Sequence, residues 1–416
     1  MRLEIGFGTA HQTLEVPDSN LLGILKPNEV TVNVKGKQAV KAALERPIGA
    51  TRLGDIVKPN DKTVIITSDI TRPVPSHKII PEILDELATS VDMSNVTVVF
   101  ALGSHRKHTT GEMKKLVGED VFSRVKCIDG DPDNYVRMGT TKRGTPVDVT
   151  RIVAEADRRI GVGSIEYHYF AGYSGGAKAI MPGVSTRAAI QSNHRYMVRQ
   201  EAMAGRLEGN PVREDIEEAL NFCPLDFIVN VVLDEHKEII YAVAGDALKA
   251  HRAGCKFLDR MYRKDIEATA DIVIASQGGA PKDINLYQTQ KALDNAKHAV
   301  KKGGVIILVG SCNEGLGEEV FEEWMTTSVN PASMVERIQQ DFQLGGHKAA
   351  AIAMVLENAD IYLVSEMDPQ FVEKIFLKPF AMVQEALDAA FEKLGWDASV
   401  LVMPYAGSTL PVAKKY

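Results

Sequence analysis

Four residues carry the strongest chemical signal in this sequence: His105, His168, Lys178 and His194. Neutral imidazole binds nickel, zinc or iron, and it is the side chain best suited to moving protons near neutral pH. Lys178 closes a Ser-Gly-Gly-Ala-Lys run. Successive backbone N–H groups in such a run can face an anion while the glycines let it approach, so Ser174, Gly175 and Gly176 read as phosphate contacts. The lysine amine supplies charge or a covalent handle. A Walker loop is not matched, because the G-x-x-x-x-G-K-[ST] spacing fails and Ala179 follows the lysine. A glycine-rich loop with a lysine is more often a plain turn than an active site. What marks this one is that His168 and His194 flank it while a separate segment supplies His105.

A second tier of residues follows predicted strands. After TVIIT comes SDITRPVP, which puts Asp69 and Arg72 on a proline-stiffened loop. A guanidinium there suits a carboxylate or a phosphate. After VTVVFAL comes GSHRKHTT, with His105 and His108 three apart. On a helix the two imidazoles would share a face and chelate a metal, but Gly103 and the following threonines favour a turn, with His105 alone facing a cleft. LGGHKAAAIAM sets His347 and Lys348 at a helix start, which is either an anion site or a solvated helix end.

The elements that must hold these residues alternate. TVIIT precedes the helical pattern SHKIIPEILDELATSV, and VTVVFAL precedes TTGEMKKLVGED. Both strands are apolar at nearly every position, as strands covered on two faces of a parallel sheet must be. RRIGVGS is a third strand, and a helix begins near Ser185. GNPVREDIEEALNF starts another, with Asn210 as N-cap and Pro211 in the first turn. LDFIVNVVLD and KEIIYAVAG form a hairpin, and ALKAHRAGCKFLDRMYR leads the chain onward. From ATADIVIASQ a fresh unit begins, with helix QTQKALDNAKHAVKK and strand GGVIILVG as one right-handed crossover. The amino terminus, MRLEIGFGTAHQTLEV, alternates like a first strand. The expectation is an α/β protein of two domains, 1–266 and 267–416, with mainly parallel sheets flanked by helices and the active site in the interdomain cleft.

Composition narrows the function. A length of 416 residues with 45% apolar and 25% charged side chains is enough for a core in each domain. A net charge of -7 gives no cationic field for nucleic acid or an anionic membrane, so a small-molecule partner is expected. Cys127, Cys223, Cys255 and Cys312 are scattered without a CxxC pair, which fits a reducing cytoplasm. The start lacks a signal-peptide pattern, and no apolar run reaches the ~18 residues of a membrane span. The protein reads as soluble and cytoplasmic.

TSDITRPVP, GSHRKHT, EYHYFAGYSGGAKAIMPG with its downstream NH, GNPVRED and LYQTQKAL together resemble the nickel-pincer-nucleotide-dependent lactate racemase family, in order and over most of the chain. The resemblance implies a racemase or epimerase that inverts C2 of a 2-hydroxy carboxylate. It implies nickel and a pyridinium-3,5-bisthiocarboxylic acid mononucleotide tethered to Lys178, with His194 as the metal ligand and His105 and His168 as paired acid/base residues. Asp69 and Arg72 match residues lining the cofactor and the substrate, and Tyr287, Gln288 and Lys291 match polar substrate contacts from the second domain. Cofactor-maturation enzymes are implied as partners.

The chemistry is consistent with those matches. Direct deprotonation beside a carboxylate is costly, whereas hydride removal leaves a planar 2-keto acid that can be reduced from either face. Malate, 2-hydroxyglutarate or another larger 2-hydroxy acid would suit the same mechanism if Lys348 reads a second carboxylate. Rival readings are a metal-dependent hydrolase with Asp69 as base, which leaves Lys178 without a role; a nicotinamide-dependent dehydrogenase, which lacks a GxGxxG after a first strand; and a non-catalytic small-anion-binding protein, which leaves the paired histidines unexplained.

Overall fold

The computed structural model describes residues 1–72 and 74–414. Two α/β units emerge: one is Val30–Arg260, and the other joins Met1–Glu29 to the chain from Met261 onward. The expected division at 266/267 therefore differs in one large respect, the destination of the amino terminus. That stretch, read as a single strand, is a hairpin of Arg2–Phe7 against Ala10–Glu15, turned at Gly8 with φ +53°. Its Ile5 and Leu14 are buried with Ile272, Ile274, Val305 and Ile307 of the carboxyl-terminal core. Leu21–Ile24 then adds a parallel edge strand beside Val400–Met403. Alternation along a strand reports which face is buried, and carries no information about which of two sheets the strand joins.

In the Val30–Arg260 unit, β1 (Thr63–Ser68), β2 (Val96–Ala101), β3 (Lys126–Asp129), β4 (Arg158–Ser164), β5 (Phe227–Leu233) and β6 (Ile239–Gly245) form a sheet in the order β6-β5-β4-β1-β2-β3. Neighbours are parallel except β5 and β6, the expected hairpin. All of β5 and nearly all of β1 and β4 are buried, because helices cover both faces. Helix α1 (Ser76–Leu87) places Ile79, Ile80, Ile83, Leu84 and Leu87 at helical spacing, in one core with Ile65, Val98 and Ile160. The chain steps outward through β1, β2 and β3, then returns to the other side of β1 as β4. The carboxyl ends of β1 and β4 thus flank a topological switch point, where open parallel sheets bind their ligands.

The other unit has a fully parallel sheet of β7 (Ala270–Ser276), β8 (Val300–Val309), β9 (Asp360–Val364), β10 (Lys378–Phe380), β11 (Val400–Met403) and Leu21–Ile24, ordered β10-β9-β8-β7-β11 and then the short edge strand. The helix expected to run through Lys302 stops at Ala296. Val300 pairs with Ala270 instead, and Lys301 bonds Asp271 at 2.9 Å, so the β7 edge draws these residues into β8. No described helix is long and apolar enough to cross a membrane, and all four cysteines are free.

Candidate active site

Three strand ends of the Val30–Arg260 unit deliver the candidate residues. Asp69 follows β1 and is buried, whereas Thr71 and Arg72 beyond it are exposed. The turn after β2 is pinned by two bonds: the Gly103 N–H donates to the Gly183 carbonyl at 3.0 Å, and the His105 N–H donates to Leu102 at 2.9 Å. Helix α2 (Thr110–Val117) begins only after a capping box between Thr109 and Glu112. His105 and His108 therefore sit in a turn and share no helix face.

The two histidines have opposite environments. His108, with a side chain 1% exposed, accepts the Ile70 N–H at Nε2 (3.0 Å) and donates from Nδ1 to Asp129 (2.6 Å). Both ring nitrogens are spent tying the loops after β1 and β2 to the end of β3, so this residue braces the site. His105 donates from Nδ1 to the Asp69 carboxylate, which also accepts the Thr71 hydroxyl at 2.9 and 3.1 Å. Burial pushes the Asp69 carboxyl up, but the bond to His105, its charge, the Thr71 hydroxyl and the charge of Arg72 outweigh burial and hold it below the ordinary carboxylate range. An ionised Asp69 fixes the His105 proton on Nδ1 and puts the lone pair of the neutral ring on Nε2.

The loop after β4 opens with a two-residue hairpin, Tyr167–His168 against Gly172–Tyr173. Gly172 has φ +77°, and a Cβ there would stand 2.1 Å from the Arg206 carbonyl oxygen. His168 accepts the Ala171 N–H at Nδ1 (3.2 Å), which places the proton of its neutral ring on Nε2. Burial first, then the charges of Lys178, Arg72, His194 and Arg213, drive its pKa well below the ordinary histidine range. Lys178 sits on the 3-10 turn Gly176–Ala179. Burial first, then Arg213 and Arg72, push its amine well below the ordinary lysine range. An amine with a lowered pKa yields its neutral, nucleophilic form more readily.

His194 ends α3 (Arg187–His194), whose N-cap Thr186 accepts the Ala189 N–H at 3.3 Å. It is 5% exposed, and its Nδ1 lies 2.9 Å from Asn193 Oδ1. The structure thus gathers His168, Lys178 and His194 around the Phe170 ring, and joins His105 and Asp69 into one pair.

The glycine run has a different use from the one expected. The Ser174 N–H donates to Glu166, its hydroxyl donates to the Ser164 carbonyl at 2.8 Å, and the Gly176 N–H donates to Asn230 Oδ1 at 2.8 Å. These donors are engaged within the unit, so the phosphate-cradle reading of Ser174 and Gly176 loses them. Gly175 and Gly176 are required sterically: φ is +76° and +59°, and a Cβ would meet Asn230 at 2.8 Å or the His251 ring at 2.9 Å.

Sequence reasoning placed the start of α4 (Pro211–Glu218) but missed what Phe170 and that helix do for the loop. The Asn210 side chain donates to the Phe170 carbonyl at 2.9 Å, and the fully buried Arg213 donates to the carbonyls of Ala171 (3.0 Å) and Tyr173. Asn210 was legible as a cap. That its amide nitrogen also clamps the loop depends on a contact across 40 residues.

Tyr287, Gln288 and Lys291 belong to the other unit, on α5 (Leu286–Ala296) behind the Asn285 cap. The Gln288 carbonyl accepts from Gln277 at 2.9 Å, and Lys291 is exposed. Lys348, near the start of α6 (Gly346–Leu356), is 7% exposed; its ammonium donates to the Tyr287 carbonyl and lies 3.8 Å from the centre of the Tyr287 ring. His347 is likewise buried and accepts the Gly345 N–H at 3.0 Å. Among the described residues, no three His, Cys, Asp or Glu side chains are gathered as a protein-only metal site needs.

Family models match both parts of the chain: a lactate racemase N-terminal domain over residues 7–205 and a lactate racemase C-terminal domain over residues 266–410. The lactate racemase of Thermoanaerobacterium thermosaccharolyticum is 36% identical over 414 residues, 97% of each chain. This chain belongs to the lactate racemase family. As a member it is an isomerase, a racemase. The lactate racemase of Lactiplantibacillus plantarum is 32% identical over 405 residues, 94% of this chain and 95% of that one. The solved lactate racemase apoprotein from T. thermosaccharolyticum superimposes with a TM-score of 0.89 at 34% identity, covering 99% of this chain and 100% of the other. A Thermotoga maritima protein of known structure, 18% identical with a TM-score of 0.60, shares the fold.

Proposed function

We propose that this racemase inverts C2 of lactate, with His105 and His168 as its two acid/base residues, Lys178 as the tether of a nickel-pincer nucleotide and His194 as the metal ligand. The observation that carries this reading is the union, at the ends of β1, β2 and β4, of a carboxylate-backed imidazole, a desolvated imidazole and a lysine amine that burial drives toward its neutral form. The residues suit the group. Burial drives Lys178 toward the nucleophilic form that a covalent tether needs, and a single buried histidine suits a metal that draws its other donors from the nucleotide. When bound, that nucleotide supplies an electrophilic ring that accepts the C2 hydride and returns it.

The protein's own work is proton placement and orientation. The two enantiomers of the substrate would direct their hydroxyls differently, one toward His105 and the other toward His168. Asp69 stabilises the His105 imidazolium once that ring has taken the hydroxyl proton from oxygen. Arg72 holds the substrate carboxylate, and its charge also lowers the pKa of the Lys178 amine. Tyr287, Gln288 and Lys291 are assigned polar substrate contacts. Lactate is favoured over malate or 2-hydroxyglutarate by the lactate racemase relatives, and the Lys348 ammonium donates to the Tyr287 carbonyl.

The test uses protein matured with the cofactor-making enzymes. Racemisation of 2-deuterated lactate is expected to show a primary isotope effect with deuterium retained at C2. Rapid exchange of that hydrogen with solvent would establish direct deprotonation instead. Intact mass is expected to rise on maturation and to stay unchanged in Lys178→Ala; active protein without added mass would end the tether assignment.

A further inference from the structure

The GNPVRED segment enters the reading above through Asn210 and Arg213, yet its helix α4 also carries a buried carboxylate. Asp215 is 0% exposed and accepts three side-chain donors: the hydroxyls of Thr141 and Thr145 and, at 2.8 Å, the amide nitrogen of Asn193. Asn193 is also fully buried, and the same nitrogen lies 3.2 Å from the Val212 carbonyl. An amide whose NH2 faces a carboxylate and a carbonyl has only one orientation, with its oxygen on the other side. That oxygen faces His194 Nδ1 at 2.9 Å, and being an acceptor it admits only a protonated Nδ1.

We propose that Asp215, acting through Asn193, is a positioning element that sets the tautomer of His194. The carboxylate orients the amide, the amide oxygen takes the Nδ1 proton, and the lone pair of the neutral ring falls on Nε2. A side-chain imidazole without such a partner favours the proton on Nε2, the form that cannot ligate a metal through that nitrogen. The relay therefore prepares a ligand before any metal arrives. A longer side chain at 193 would break the geometry, because the contact is made between adjacent residues at the last turn of α3. Thr141 and Thr145 secure the carboxylate from the loop before residue 146, which makes it an anchor common to α3, α4 and that loop. The use to which this is put rests on the proposed role of His194 as metal ligand; the tautomer itself does not.

The primary measurement needs no variant. Nitrogen-15 chemical shifts of His194 in the apoprotein, at a pH where the ring is neutral, are expected to show a protonated Nδ1 and a bare Nε2. The reverse pattern overturns the relay. In Asn193→Leu, checked for retained fold by circular dichroism, the population is expected to move toward a protonated Nε2; an unchanged tautomer in the folded variant also overturns it. In matured protein the same variant is expected to release nickel to a chelator with roughly 10–100-fold weaker retention. The two readings separate cleanly: nickel retained in full by matured His194→Ala removes the ligand assignment, while the apoprotein shifts alone decide the relay.

Discussion

The amine of Lys178 lies 5.9 Å from the centroid of the Phe170 ring, and that ring meets His168 edge-on at 4.4 Å and His194 at 4.9 Å. A cation over an aromatic face is ordinarily stabilised, which would favour the protonated amine. Here burial and the charges of Arg213 and Arg72 prevail in the other direction. The ring therefore acts as the wall against which three functional groups are set at fixed distances.

Replacing that wall with a smaller group should loosen all three. Phe170→Ala removes a buried ring, 2% exposed, and is expected to lower unfolding free energy by about 3–5 kcal/mol. Phe170→Leu keeps more of the volume but loses the edge contacts. Its denaturation midpoint should fall less than that of Phe170→Ala, while its racemisation rate should fall by at least tenfold; a fully active Phe170→Leu would show the ring to be filler.

The depressed pKa of Lys178 has a sign that chemistry can read. Because the neutral amine is favoured in the folded protein, the reactive fraction rises at lower pH than for an ordinary lysine, whose reference value is about 10.4. Apoprotein treated with an acylating reagent across a pH series, followed by peptide mass analysis, should show Lys178 modification reaching its plateau well before that of exposed Lys107. Coincident pH profiles would mean that the folded site leaves the amine as water does.

Asp69→Asn keeps the shape of the His105 partner and removes its charge. The amide can also reverse and present its NH2 to Nδ1, which selects the opposite tautomer. We expect a fall in kcat of about 10²–10⁴-fold with KM little changed. The proton-linked part also has a direction: Asp69 has a folded pKa below its unfolded value, so it contributes stability above the unfolded carboxylate range that is lost as pH falls through the folded value. A wild-type-like kcat in the amide variant would remove Asp69 from the mechanism.

His298 tests pH-dependent stability in the other unit. Burial first, then the charge of Lys297, bring its pKa down to about 3, and its Nε2 is buried without a hydrogen-bond partner among the described residues. Above pH 6.5 the ring is neutral in both states and costs nothing. Between there and its folded value only the unfolded chain takes up the proton, so stability falls as pH falls, by about 1.4 kcal/mol per pH unit at most. His298→Leu should therefore be more stable than the parent at pH 5 by on the order of 1–2 kcal/mol relative to the difference at pH 7.5, measured by urea titration. Parallel pH dependence in the two proteins would show that His298 does not titrate on unfolding.

The sequence by itself determined the strand and helix alternation of both units, the Asn210 cap, and the residue types of the site, because each of these is written in local periodicity or in a contiguous motif such as GYSGGAKAIMPG. It could also separate His105 from a helical chelate, since Gly103 and the capping threonine lie within a few residues of it. Only the tertiary structure decided that the hairpin Arg2–Glu15 serves the carboxyl-terminal core and that His108 is a brace. The same holds for the Ser174 and Gly176 donors, which face inward, and for Asp215, which stands behind His194 through Asn193. Each of these rests on a hydrogen bond or apolar contact between residues distant in the chain. Such contacts form only when strands and helices have docked, and the spacing of residue types along one segment carries no record of which distant partner will arrive.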